Sequence, residues 1–189
     1  ALFIIATVAY SLSVVLLNPM LGSSNYLTDI YANENLFIIG ALLVLIDAVA
    51  VAGISIVIYP VLKESNETLA LGYVGARIGE SVLFSVNVII TLTLLTLSQE
   101  FTEAGTSDLV FYRTSGNVLL AAANWAYLLG LGLAFAISAL ILNLVLYQSK
   151  LTPRWLSVWG LIGATLVIIN FLLESFGNNP IEILFLPIA

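Results

Sequence analysis

Five stretches of the chain stay apolar for long enough to cross a lipid bilayer as a helix, which takes about 20 residues at a rise of about 1.5 Å each. They are 1–21, 36–62, 69–97, 118–147 and 153–173. The second is broken only by Asp47, the third carries Arg77 and Glu80, and the fourth has no charge at all. A sixth begins at Pro180, and the ten residues up to Ala189 rise only about 15 Å, half the hydrocarbon thickness. Its completion is expected beyond Ala189. The predicted fold is therefore all-α, a single transmembrane helical bundle over 1–189 with five full helices and a truncated sixth.

The polar segments between the runs carry helix-end chemistry. Asn66-Glu67-Thr68 supplies a capping side chain and a first-turn carboxylate to the third helix. Thr152-Pro153 places a capping residue before a proline at the first helical position, and Gly177 suits the exit from the fifth helix. The first run lacks a basic flank and a small-residue cleavage pattern, so it is expected to stay as a helix rather than serve as a signal peptide.

Composition agrees with a bilayer as solvent. Hydrophobic residues make up 61% of the chain and charged ones 8%, against about 25% charged in soluble domains. A net charge of −6 excludes a nucleic-acid partner, which requires a basic surface. With no Cys and no His, disulfides, thiol catalysis and Cys/His metal sites are excluded, and no cofactor is indicated. Zincin, nucleophile-elbow, P-loop and dinucleotide-binding motifs are absent, which points away from an enzyme.

The loops alternate in charge. Lys63 lies between the second and third runs, and Lys150 with Arg154 between the fourth and fifth. Asp29 and Glu34 lie between the first and second, and Glu100, Glu103 and Asp108 face a single Arg113 between the third and fourth. The positive-inside rule then sets the N-terminal side in the cytoplasm, with Tyr59, Tyr147, Trp155 and Trp159 at the cytoplasmic interface. Asn66-Glu67-Thr68 also fits the glycosylation pattern, but this topology places it in the cytoplasm.

Several stretches resemble a family of bacterial multi-pass membrane proteins, the domain of unknown function 4386 family. They are Tyr59-Pro60-Val61-Leu62-Lys63, then Leu69-Ala70-Leu71-Gly72-Tyr73-Val74-Gly75 with Arg77 and Glu80, and the run from Leu151-Thr152-Pro153-Arg154-Trp155 to Gly160. Tyr26-Leu27-Thr28 and Ala32-Asn33-Glu34-Asn35 fit the first loop of the family. The resemblance implies a bundle in the bacterial inner membrane and no particular activity.

Charges at mid-bilayer cost about 2.5–3.5 kcal/mol each on insertion scales, so Asp47, Arg77 and Glu80 are expected to turn inward. At about 100° per residue, Tyr73, Arg77, Glu80, Phe84, Asn87 and Thr91 form one stripe on the third helix. Asp47 lies sixteen residues before Lys63 and Glu80 fourteen after Asn66, which predicts a similar depth for the two acids. Asn117, Asn124 and Ser138 recur at multiples of seven on the fourth run. Asn143 and Asn170 are further polar candidates.

Two accounts of these groups stand side by side. In one, Arg77 neutralises a carboxylate and the network only holds helix register. In the other, Asp47, Tyr73, Arg77, Glu80, Asn87 and Asn124 line an intramembrane site for a small ligand, a lipid headgroup or an ion. One Arg against two carboxylates leaves a charge of −1, which calls for protonation or a cation. An accessory subunit docking on a larger membrane complex is the alternative function. The glycines at 130, 132, 160 and 163 suit close helix packing in either case.

Overall fold

A computed structural model describes residues 1–104 and 108–177, and no strand occurs among them. The elements are α1 (Leu2–Leu21), α2 (Tyr26–Ala32), α3 (Glu34–Lys63), α4 (Glu67–Ala104), α5 (Leu109–Tyr127), a π-helical segment (Leu128–Ala134), α6 (Phe135–Ser149) and α7 (Arg154–Ser175). Among the described residues, five helices are long and apolar enough to cross a membrane: α1, α3, α4, the continuous helix from α5 through α6, and α7. The sixth run, expected from Pro180, lies outside the described residues.

Their outer faces carry Phe3, Val15, Val49, Val57 and Ile89, each at least 65% exposed. In water each such side chain would forgo about 1.5–3 kcal/mol of burial; against lipid it forgoes nothing. The five apolar helices mark a membrane-spanning protein. Trp155 and Trp159 are 71% and 73% exposed, one turn apart at the start of α7.

Three features depart from the reading of the loops, the first being that the fourth spanning helix starts at Leu109 rather than Val118, so that Arg113 is helical. α4 continues past Leu97 to Ala104, and its 38 residues measure about 57 Å, well beyond a hydrocarbon core of about 30 Å. Residues 26–32, expected as loop, form α2. Seven residues are too few for periodicity to reveal, and α2 is held by burying Tyr26, Leu27 and Ile30.

The packing divides into two units. The first comprises Ala1–Ile54 and Ser81–Tyr127. Its core joins Leu17 and Met20 of α1, Tyr26, Leu27 and Ile30 of α2, Phe37 of α3, and Leu94 and Leu95 of α4. Gly40 lets α1 and α3 approach, since a Cβ there would lie 2.8 Å from the Leu17 side chain. The Ser98 hydroxyl donates to the Leu27 carbonyl, and the Gln99 amide to Glu34 at 3.2 Å. Tyr26 reaches α5, donating to the Asn117 side chain at 3.1 Å and the Arg113 carbonyl at 3.3 Å. Burial pushes the Tyr26 phenol above its ordinary range, against the opposing pull of the Arg113 charge.

The second unit comprises Ser55–Glu80 and Leu128–Ala189. Leu62, Ala70, Tyr73 and Val145 form its core, and α6 and the π segment pack along α7. Gly132 lies under the Phe171 ring, and Gly160 under the Asn143 carboxamide. Asn66 caps α4 as expected, accepting from the Leu69 N–H at 3.0 Å. Gly177 takes a positive φ of 78° beyond α7, and its N–H donates to the Glu174 carbonyl at 3.0 Å. Pro153 stands one position earlier than expected: it is the cap of α7, with ψ of 131°. The Thr152 hydroxyl meets that of Ser157 at 3.0 Å and caps no backbone N–H.

Candidate functional site

The first unit contains a cavity of about 380 Å³, within the usual range of roughly 300–1,000 Å³ for small-molecule sites. Each helix presents one stripe to it. α1 supplies Tyr10, Ser13, Leu17 and Asn18, α4 supplies Phe84, Asn87, Thr91 and Leu94, and α5 supplies Leu120, Ala123, Asn124 and Tyr127, with Val44 of α3 closing the wall. The spacings of three and four are those of one helix face.

Among the described residues, seven neutral polar side chains line this space: Tyr10, Ser13, Asn18, Asn87, Thr91, Asn124 and Tyr127, and no Asp, Glu, Lys or Arg does. The Tyr10 and Tyr127 hydroxyls share a hydrogen bond of 2.7 Å, and Phe84 packs on the Tyr127 ring with centroids 6.5 Å apart. Asn87 donates to the Ala123 carbonyl at 2.8 Å, tying α4 to α5.

Depth can be read along the helices. Within this unit Gly53 lies beside Leu2 and Gly40 beside Leu17, so α1 and α3 run antiparallel. Tyr10 is midway along α1, Tyr127 meets it there, and Asn87 reaches α5 at Ala123, one turn from Tyr127. Leu17, Leu21 and Leu94 line the end nearer α2. The cavity is thus polar towards the middle of its spans and mainly apolar towards one end, where Asn18 is the polar exception.

The sequence stripe on α4 turns inward: Tyr73, Glu80, Phe84 and Thr91 are at most 5% exposed. It is shared between the units. Phe84, Asn87 and Thr91 line the cavity, whereas Tyr73, Arg77 and Glu80 form a cluster in the second unit. There Arg77 Nη1 meets Glu80 Oε2 at 2.7 Å, and the guanidinium lies 5.7 Å from the Phe135 ring centroid. Tyr73, one turn before Arg77 on the same face of α4, is buried as well. Arg77 Nε has no hydrogen-bond partner among the described residues. Asp47 is buried in the first unit but is not part of the cavity wall.

Of the other candidates, Asn124 reaches the cavity, Asn117 binds Tyr26, and Ser138 is buried, donating to the Phe135 carbonyl at 2.7 Å. The π segment lies between Asn124 and Ser138 and interrupts the 3.6-residue period on which the sevenfold spacing relied. Tyr10, Ser13, Asn18 and Tyr127 were not singled out from the sequence. Their signal was available as hydroxyls and an amide at helical spacing, but the cost of burying them is small beside that of a charge, so they stand out less.

Residues 1–189 match the family described as Domain of unknown function (DUF4386). The chain belongs to this family. Neither a curated protein nor a solved structure matches it. The family description specifies no activity, so the chemistry of the cavity has to be read from the side chains that line it.

Proposed function

We propose that the chain is a non-catalytic membrane protein that binds a small uncharged molecule in the cavity of its first unit, with Asn87 and Asn124 among the groups that hold it. The observation that carries this reading is the lining: about 380 Å³ walled, among the described residues, by seven neutral polar groups between apolar ones and by no acidic or basic side chain. An ion entering such a space would lose its water without meeting a counter-charge, at a cost of several kcal/mol. A lipid headgroup is disfavoured by depth. The polar groups cluster towards mid-helix, where a lipid presents its tail. Solute sites near the bilayer midplane are common in membrane transport proteins.

In this reading the Arg77–Glu80 pair, with Tyr73 one turn away, holds helix register, and Asp47 plays no direct part in the ligand site. The turns bearing Lys63, Lys150 and Arg154 face the cytoplasm. Lys63 lies 5.8 Å over the Tyr59 ring and Arg154 5.5 Å over Tyr147, the aromatic and basic pairing of a membrane interface.

The test uses three molecules of one shape: benzamide, benzoate and benzylammonium. Binding to the full chain in phosphatidylcholine nanodiscs is followed by saturation-transfer NMR. Benzamide is expected to bind and the two ions not, and Leu120→Trp, which fills the cavity, is expected to abolish the benzamide signal. Equal binding of all three, or benzamide binding that survives Leu120→Trp, overturns the reading.

A further inference from the structure

The polar groups of the cavity are not equally available to a ligand. The hydroxyls of Tyr10 and Tyr127 engage each other, and that of Ser13 donates to the Tyr10 carbonyl at 2.7 Å. Asn87 commits an N–H to the Ala123 carbonyl. That bond fixes which end of the carboxamide is the donor and leaves Oδ1 as an acceptor and the second N–H as a donor. Thr91 and Asn124 also line the cavity, and neither side chain has a hydrogen-bond partner among the described residues.

Asn18 at the apolar end of the cavity is uncommitted as well, and the rest of the uncommitted capacity is concentrated on one turn of α4 and the facing turn of α5. Asn87 and Thr91 are four residues apart on one face of α4, and Asn124 follows the residue whose carbonyl receives Asn87. Asn87 Oδ1 can only accept. Asn124 offers donors and an acceptor side by side, and Thr91 a hydroxyl that does either. A ligand matching this set must donate to Asn87 while both donating to and accepting from Asn124.

We infer that the polar end of the ligand is a primary carboxamide or a group of the same donor–acceptor pattern, held by Asn87, Thr91 and Asn124, with its apolar end towards Leu17 and Leu94. This rests on the cavity reading above and deepens it. A hydroxyl has one proton to give and leaves part of the set unpaired. A tertiary amide has none, and it would bury Asn87 Oδ1 against a methyl group. Sites built to hydrogen-bond an N–H discriminate strongly against analogues lacking it, because their own groups are then left unsatisfied.

The experiment compares benzamide with N,N-dimethylbenzamide in the same nanodiscs, on the wild-type chain, Asn124→Ala and Leu120→Trp. Asn124 has no internal hydrogen bond to lose, so its truncation leaves the fold intact. Benzamide is expected to bind at least about 10-fold more tightly than the dimethyl compound, and Asn124→Ala to remove most of that preference. Equal affinities for the two amides, with benzoate and benzylammonium still excluded, overturn the carboxamide assignment and leave the cavity reading standing. So does a preference that Asn124→Ala leaves untouched. If no neutral compound gives binding sensitive to Leu120→Trp, both fall together.

Discussion

The hydroxyl of Tyr26 occupies the space that a side chain at Gly116 would need. The ring of α2 is laid across the α5 backbone there, and its hydroxyl continues to the Asn117 side chain and the Arg113 carbonyl. Gly116→Ala is therefore expected to displace a rigid ring and break its hydrogen bonds, at a cost of about 1–3 kcal/mol from overpacking. Tyr26→Phe keeps the ring and loses only the bonds, about 1 kcal/mol. Thermal unfolding in nanodiscs should rank Gly116→Ala as the more damaging. The double variant Gly116→Ala with Tyr26→Ala should be less destabilised than the two single effects summed.

The same phenol makes stability depend on alkaline pH. Its folded-state pKa lies above the unfolded value of about 10 because burial disfavours the phenolate. The group thus contributes stability that is complete below pH ~10 and is lost as pH rises through the folded value. The difference in stability between wild type and Tyr26→Phe should shrink across that window. The Arg113 charge holds the pKa down, so Arg113→Ala should move the window higher. The tyrosinate absorbance lost on mutating Tyr26 reports its position directly. A window that moves lower in Arg113→Ala would contradict this assignment.

The spanning helices are legible in the sequence because hydrocarbon tolerates so few charges that the runs delimit themselves. The inward stripe from Tyr73 to Thr91 is legible for the same reason, since ionised and amide groups have one acceptable direction. α2 escapes notice because its formation depends on Tyr26 and Ile30 meeting residues distant in the chain, such as Leu94. The π segment escapes because Leu128–Ala134 is as apolar and helical in pattern as its neighbours. Its Gly132 gives no hint of the Phe171 ring that packs there. The cavity is a matter of what four helices leave unfilled, which no single helix records.

Glycine packing in the second unit separates into two cases one turn apart on α7. A Cβ on Gly160 would overlap the Asn143 carboxamide, which is itself held by donation to the Ala139 carbonyl at 2.8 Å. A Cβ on Gly163 meets nothing within 4 Å. Gly160→Ala should therefore separate α6 from α7 and destabilise by about 1–3 kcal/mol. Gly163→Ala should be neutral or stabilising by up to about 1 kcal/mol, the ordinary gain of Ala over Gly in a helix. Melting temperatures of the two variants check the contrast, and a similar drop in both would deny Asn143 its packing role.

The Arg77–Glu80 pair offers the last test, because its two members are not equivalent to their sum. Glu80→Leu leaves the guanidinium buried beside Phe135 without its carboxylate, and breaking a buried pair in this way costs about 3–5 kcal/mol. Removing both charges in Arg77→Leu with Glu80→Leu restores an apolar contact and should recover a large part of that loss. Benzamide binding in the first unit should change little in the double variant, since neither residue lines the cavity. A double variant as unstable as Glu80→Leu would mean that the carboxylate serves more than its arginine. Loss of benzamide binding with stability retained would return this pair to the ligand site.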